Sequence, residues 1–234
     1  MTNNLWLRLQ KLRFLQLFVY SLLVMVIIPF FDYDWLLTLL SNIVILNALL
    51  VSLSTGPAAL KWRGLYWLFF GLSVVLMTLS LWQTSLITSL VYFRWSLKCY
   101  IVVLVFCLMA ILRHIFMSQQ VDLDLIFAAM VAYLILALMF AQIYSLLFSY
   151  HPQSFNLPAS EAHGSFSYLH GTFIYYSIIV MTTVGMGDVI PLTPMARSLT
   201  IIEAMLGQFF VAVLVAWLVG RFIAMGTIRR PPVE

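Results

Sequence analysis

Charge is what this chain has least of. Of its 234 residues, 9% are Asp, Glu, Lys or Arg, and 64% are hydrophobic. A soluble domain carries about 25% charged and about 45–50% apolar residues. So little charge excludes an ordinary cytosolic enzyme and a disordered chain. Cysteine is also scarce, with two residues in all, which excludes a secreted disulfide scaffold. Cys99 and Cys107 stand eight apart in one apolar run. On a helix that is about 12 Å of rise, too far for a bridge, so both read as small buried hydrophobes. No His, Cys, Asp or Glu group has metal-ligand spacing, and no repeat or low-complexity segment is present. A transporter of inverted repeats would interrupt helices at matching places in both halves. Gly71 and Gly207 match poorly in this respect.

Long apolar runs are abundant. They cover residues 14–31, 35–54, 65–82, 85–113, 125–150 and 198–224, and a span needs about 20 residues. The first follows Arg8, Lys11 and Arg13 like a signal peptide. It ends in Pro29, Phe30 and Phe31 with no small-residue cleavage site, and is expected to be retained as a helix. The twelve basic residues, all but Arg94, Lys98 and Arg197, fall on one side of such a six-span layout. By the positive-inside rule both termini are then cytoplasmic, and the expected location is the inner (plasma) membrane. The net charge of +4 accordingly reads as basic flanks, and nucleic acid is not expected as a partner. Residues 117–124 form a cytoplasmic linker in this layout. The connector 151–170, with His151, His163 and His170, lies outside; its histidines read as solvated, with proton or metal sensitivity as the other reading.

One apolar piece is too short to span. Residues 171–181 give about eleven apolar positions between two full spans, the length of a re-entrant helix. Irregular backbone at that depth must line water or be buried in protein. The piece is followed by Thr182, Thr183, Val184, Gly185, Met186, Gly187 and Asp188, then by Pro191 and Arg197. These seven residues resemble the selectivity filter of potassium channels, whose general form is TVGYG, with Met186 where tyrosine is usual. The likeness extends over roughly residues 125–224, the last helix being similar to bacterial members of the ion channel superfamily.

The resemblance implies an all-α membrane protein of six transmembrane helices with a re-entrant pore helix and filter, assembled as a homotetramer in lipid. Residues 1–116 would be a weakly charged four-helix membrane domain and 125–224 the pore. Residues 225–234 would be a short tail, with no soluble regulatory domain. The carbonyls of Thr183, Val184, Gly185 and Met186, with the Thr183 hydroxyl, would hold permeant K+; Gly185 and Gly187 let the chain take angles other residues avoid. No other cofactor and no enzymatic activity are expected.

Thr182, Asp188, Tyr175 and Tyr176 would support the filter, Tyr175 by bonding Asp188; plain interfacial packing of the tyrosines is the other reading. Gln208 and Val211 would face the cavity. Glu203, an acid in an apolar helix, either braces the pore helix, tunes the cavity, or serves as a structural clip. Gly207 is either a hinge or a close-packing point. Without a tyrosine hydroxyl, Met186 predicts a more deformable filter that still favours potassium; a poorly selective cation channel and a non-conducting accessory subunit are the alternatives. The fourth run carries Arg94 and Lys98 near its outer half and Arg113 at its inner end. A voltage sensor moves about 3–4 charges per subunit, so voltage dependence should be weak or absent, with Arg94 and Lys98 acting as snorkelling anchors.

Overall fold

A computed structural model describes residues 13–27, 39, 42–43, 45–46, 48–49, 63–82, 86–118, 122–157 and 166–228. Among the described residues the continuous helices are α1 (Arg13–Ile27), α2 (Arg63–Trp82), α3 (Leu86–Met117), α4 (Leu123–Tyr150), α5 (Phe166–Met181) and α6 (Pro194–Ile228). The individually described residues between 39 and 49 are helical too. Among the described residues three helices are long and apolar enough to cross a membrane, over Thr88–Met117, Leu123–Tyr150 and Pro194–Arg221. Most of the run expected at 35–54 lies outside the described residues, as does the tail from 229.

The helix ends explain why the chain turns where it does. Asp122 caps α4, its Oδ1 accepting from the Leu125 N–H at 2.9 Å. This satisfies a backbone donor that a helix start otherwise leaves open. The expected linker 117–124 is therefore shorter: Met117 still belongs to α3, and Leu123 and Asp124 already lie in α4. Asp124 then accepts from the Phe14 N–H at 3.1 Å, tying α1 to α4. Phe14 stacks on His114 at 5.5 Å and Phe18 tilts against Phe127 at 5.8 Å. The start of α6 carries Thr193 as N-cap and Pro194 at the first helical position, where the missing N–H of proline costs nothing.

The short helix corrects the expectation for the outer connector. α5 has 16 residues, not about eleven, and begins at Phe166. His170 is thus no loop residue but is buried in α5, its Nε2 lying 3.3 Å from Gln142 Nε2 of α4. Gly171 and His170 look like breakers in sequence, yet the neighbouring Leu169 and Phe173 pack against α4 side chains, and that burial extends the helix. His151 is the exposed C-cap of α4, and His163 lies outside the described residues. The chain between α4 and α5 makes a 3-10 turn (Pro152–Ser154) and a strand β1 (Phe155–Asn156). β1 pairs antiparallel with β2 (Ile190–Pro191), Phe155 opposite Pro191 and Asn156 opposite Ile190. This two-residue clasp anchors the chain on the far side of the segment after α5.

Two cores result. One joins α1, α2, α3 and α4, with Phe14, Leu49, Val103, Leu104, Cys107 and Ile111 buried. Cys99 and Cys107 are free and buried. The other lies between α4, α5 and the β clasp and is strongly aromatic. Tyr144 is its centre, 5.2 Å from Tyr176 and 5.5 Å from Phe155, and Phe155 stands 5.1 Å from Phe173, all ring to ring and edge-on. Edge-on pairs match the ring quadrupoles.

The Asp122 cap makes a quantitative expectation. Asp122→Ala should lower the stability of the protein in detergent by about 1 kcal/mol, read as a fall in thermal midpoint, with Asp122→Asn staying near the starting value. Equal midpoints for all three would show that the cap contributes nothing.

Candidate functional site

The candidate site begins where α5 stops. Helices commonly end with a left-handed residue whose N–H and whose successor's N–H turn back onto the last carbonyls. Here the Thr183 N–H donates to Val180 O at 3.0 Å and the Val184 N–H to Ile179 O at 2.9 Å. That is the Schellman pattern, with a threonine where glycine is usual. Thr183 has φ 59°, and it is the one non-glycine positive φ among the described residues. A β-branched residue there is strained by roughly 1–3 kcal/mol.

Left-handed backbone then recurs at every second residue, with Gly185 at φ 56° and Gly187 at φ 82°. In a regular strand successive peptides point to opposite sides; alternating the hand of φ brings successive carbonyls toward one side. Residues 182–188 are all exposed in the single chain, with Met186 at 67%. The Thr183 hydroxyl donates to Thr182 O at 2.7 Å, which leaves its oxygen lone pairs available to a cation. The Thr182 hydroxyl donates to Ile178 O at 2.7 Å, so it faces back along α5.

The far end is held by Asp188. Tyr175 Oη donates to Asp188 Oδ2 at 2.8 Å, and the Val189 N–H donates to Asp188 Oδ1 at 3.0 Å. α5, which ends at the start of the segment, thus also reaches its finish through Tyr175. Below that, the Leu192 N–H donates to Ser154 O at 2.8 Å. Arg197 Nε donates to Pro191 O at 3.2 Å.

Behind the segment, α6 is pinned to α5 at three successive turns. Thr200 Oγ1 lies 2.8 Å from Tyr176 Oη. Because Thr200 gives its hydrogen to Ala196 O at 2.9 Å, Tyr176 is the donor. Glu203 is fully buried and accepts from Tyr144 Oη at 2.5 Å on one oxygen. Ser177 Oγ donates to the other. Ser177 also lies 2.7 Å from Ala137 O. Glu203 therefore joins α4, α5 and α6 at one point.

A turn later, Gly207 is buried against the end of α5. A Cβ there would stand 3.1 Å from Met181 O and 3.3 Å from Met181 Cα, so only glycine fits without displacement. Tyr133 Oη donates to the same Met181 carbonyl at 2.8 Å. Gln208 is exposed. Val211, 46% exposed, lines an apolar groove with Tyr133 and Phe210.

The sequence-predicted residues are thus in two groups. Thr182 to Asp188 and Tyr175 meet on one side of α5; Tyr176, Glu203 and Gly207 meet behind it; Gln208 and Val211 join neither. Sequence reasoning missed Tyr144, Ser177 and Tyr133, the partners behind the segment. A faint signal for the first exists: Gln142, Tyr144 and Ser145 form a polar cluster in an otherwise apolar run.

Arg94 is more than a snorkelling anchor. Its Nη2 donates to Ser149 O, one of the last carbonyls of α4. Its guanidinium stacks 4.3 Å from the Tyr150 ring centre.

No curated protein and no solved structure matches the chain. A protein-family model described as ion channel does, over residues 131–224. That stretch runs from within α4 through α5 and the left-handed segment to the pinned part of α6 and beyond. Residues 131–224 are thus similar to the ion channel family, and in that stretch two helices apolar and long enough to cross a membrane, α4 and α6, stand with α5 around a segment of exposed backbone.

Proposed function

We propose that the protein is a potassium-selective channel, conducting K+ down its gradient through the carbonyls of Thr183, Val184, Gly185 and Met186. The observation that carries this reading is the segment Thr182 to Asp188 itself. It has positive φ at alternate residues, hangs from the end of α5 by the Thr183 and Val184 N–H bonds, and is closed by Tyr175 on Asp188. Carbonyl oxygens replace the water of a desolvated cation without a fixed charge that would hold it.

One chain supplies one such strand, and a ring needs several. The homotetramer is supported by α6: only 11% of its most apolar window is buried within the chain, so lipid or other copies must cover the rest. In this reading residues 125–224 are the pore, 1–116 a four-helix membrane domain, 117–124 its connection and 225–234 a cytoplasmic tail. The six spans lie in the inner membrane with both termini cytoplasmic. Weak voltage dependence is supported by α3, whose Arg94 is bonded to α4. Met186 offers no hydroxyl to brace the filter, which favours a second reading, a poorly selective cation channel.

Purified protein in liposomes separates the readings. K+ flux should exceed Na+ flux, change little with voltage, and vanish in Gly185→Ala, since an L-residue at φ 56° is strained at a point the ion must pass. Equal K+ and Na+ flux would establish the poorly selective channel; no flux from well-folded protein would point to an accessory subunit; a steep conductance–voltage curve would refute the weak sensor.

Tyr175→Phe removes the hydroxyl on Asp188 and should destabilise the outer filter, read as faster loss of current during sustained opening. Unchanged currents would assign Tyr175 to interfacial packing.

Glu203→Gln keeps a hydrogen-bonding side chain of the same size and should conduct. Glu203→Ala leaves the buried Tyr144 hydroxyl without its acceptor, at about 1–3 kcal/mol, while Ser177 keeps Ala137 O, and should lower both thermal midpoint and flux. Wild-type behaviour in Glu203→Ala would remove the residue from the mechanism.

A further inference from the structure

A second site lies away from the conducting segment, between α3 and α4 near the outer end of α4. It is a crevice of about 270 Å³. Its walls are Leu90 and Phe93 of α3, Phe148 of α4, and Leu169 and Phe173 of α5, and Arg94 stands among them. The polar side chains on its wall differ in what they can still bind. Ser145 donates to Ala141 O at 2.9 Å and Ser149 to Leu146 O at 2.7 Å, so both hydroxyl hydrogens are engaged within α4. Arg94 gives one nitrogen to Ser149 O, but its Nε is buried and reaches no acceptor among the described residues. A buried guanidinium N–H without a partner is costly, and the acceptor that suits it is an anion.

Among the described residues the charge around the crevice is of one sign. Lys98 lies one turn further along α3, its Nζ 4.3 Å from the Trp95 ring centre and 5.9 Å from that of Tyr150. No carboxylate among the described residues lines the crevice. Trp95 and Tyr150 are 55% and 46% exposed at this level. Exposed Trp and Tyr at one depth mark the membrane–water interface, and α4 ends there, at Tyr150. The crevice thus sets a cation at headgroup depth and an apolar channel beside it.

We infer that this crevice binds an anionic membrane phospholipid, its phosphate on Arg94 with Lys98 adding charge, and its chain along Leu90, Phe93 and Phe148. A zwitterionic lipid would bring a cation of its own to a rim whose described residues offer it no carboxylate, so the anionic headgroup is preferred. Apolar walls favour a lipid over a free phosphate ion.

Lipid retention tests this without any measurement of ion flux, so it stands or falls apart from the channel reading. Detergent-purified protein is examined by native mass spectrometry with phosphatidylglycerol, phosphatidylcholine or inorganic phosphate. The native chain should retain phosphatidylglycerol about tenfold better than phosphatidylcholine, the effect of one charge-assisted contact. Arg94→Gln should erase that preference and Lys98→Gln should reduce it. Leu90→Trp fills the crevice and leaves Arg94 on Ser149, so it should lose the lipid even if Arg94→Gln does not fold. Equal retention of the two lipids, or retention unchanged in Leu90→Trp, would overturn the site. Displacement of phosphatidylglycerol by inorganic phosphate would overturn the lipid as its ligand.

Discussion

α5 ends on a threonine in the left-handed region, and the course of the chain for the next five residues depends on that end. A helix that stopped on a right-handed residue would continue along its own axis. The Schellman bonds from Thr183 and Val184 turn the chain sharply back, and Gly185 and Gly187 repeat the left-handed step. Glycine would take the Thr183 position more cheaply. The strain is held by neighbours at both ends: Val180 and Ile179 at the start, Asp188 and the β clasp at the finish.

The surroundings of α5 serve the same constraint. Its last carbonyl, that of Met181, takes the Tyr133 hydroxyl and presses on Gly207. Its middle is bonded to α6 through Ser177 and Tyr176. The outer part of α6, from Thr200 to Gly207, therefore moves with α5 or not at all. Bending of α6 that leaves these bonds intact has to occur beyond Gly207, where the helix is exposed along most of its length. A rearrangement that reaches Glu203 would instead pass directly to α5, and through it to the residues that hang from its end. Burial makes that link stiff: a buried carboxyl group with two hydroxyl partners cannot drift from them without leaving itself and Tyr144 unsatisfied.

How much of this was legible in the sequence depended on the range of each interaction. The segment Thr182 to Asp188 is local, and glycines at alternate positions mark it whatever surrounds them. The left-handed Thr183 carries no such mark, because threonine has no propensity for that region; the helix end imposes it. The start of α5 lies five residues before the apolar piece counted from Gly171, because packing of Leu169 and His170 on α4 carries the helix back into the expected connector. The tie between Tyr175 and Asp188 followed from the likeness to potassium channels and stands at 2.8 Å. The partners of Glu203 lie 59 and 26 residues away. An isolated acid in an apolar helix announces that it needs partners, but not which hydroxyls the fold will bring.

The scarcity of charge acquires a sharper meaning at Arg94. Moving one charge through 100 mV is worth about 2.3 kcal/mol. A hydrogen bond to a charged group contributes about 1.5–3 kcal/mol, and Arg94 makes one to the end of α4 and stacks on Tyr150 besides. For a single arginine the field and the bond are of equal size, so a voltage of ordinary magnitude cannot move it decisively. A sensor overcomes such bonds by moving several charges together. α3 carries no charge between Lys98 and Arg113, and the half-buried guanidinium of Arg94 ties α3 to the end of α4.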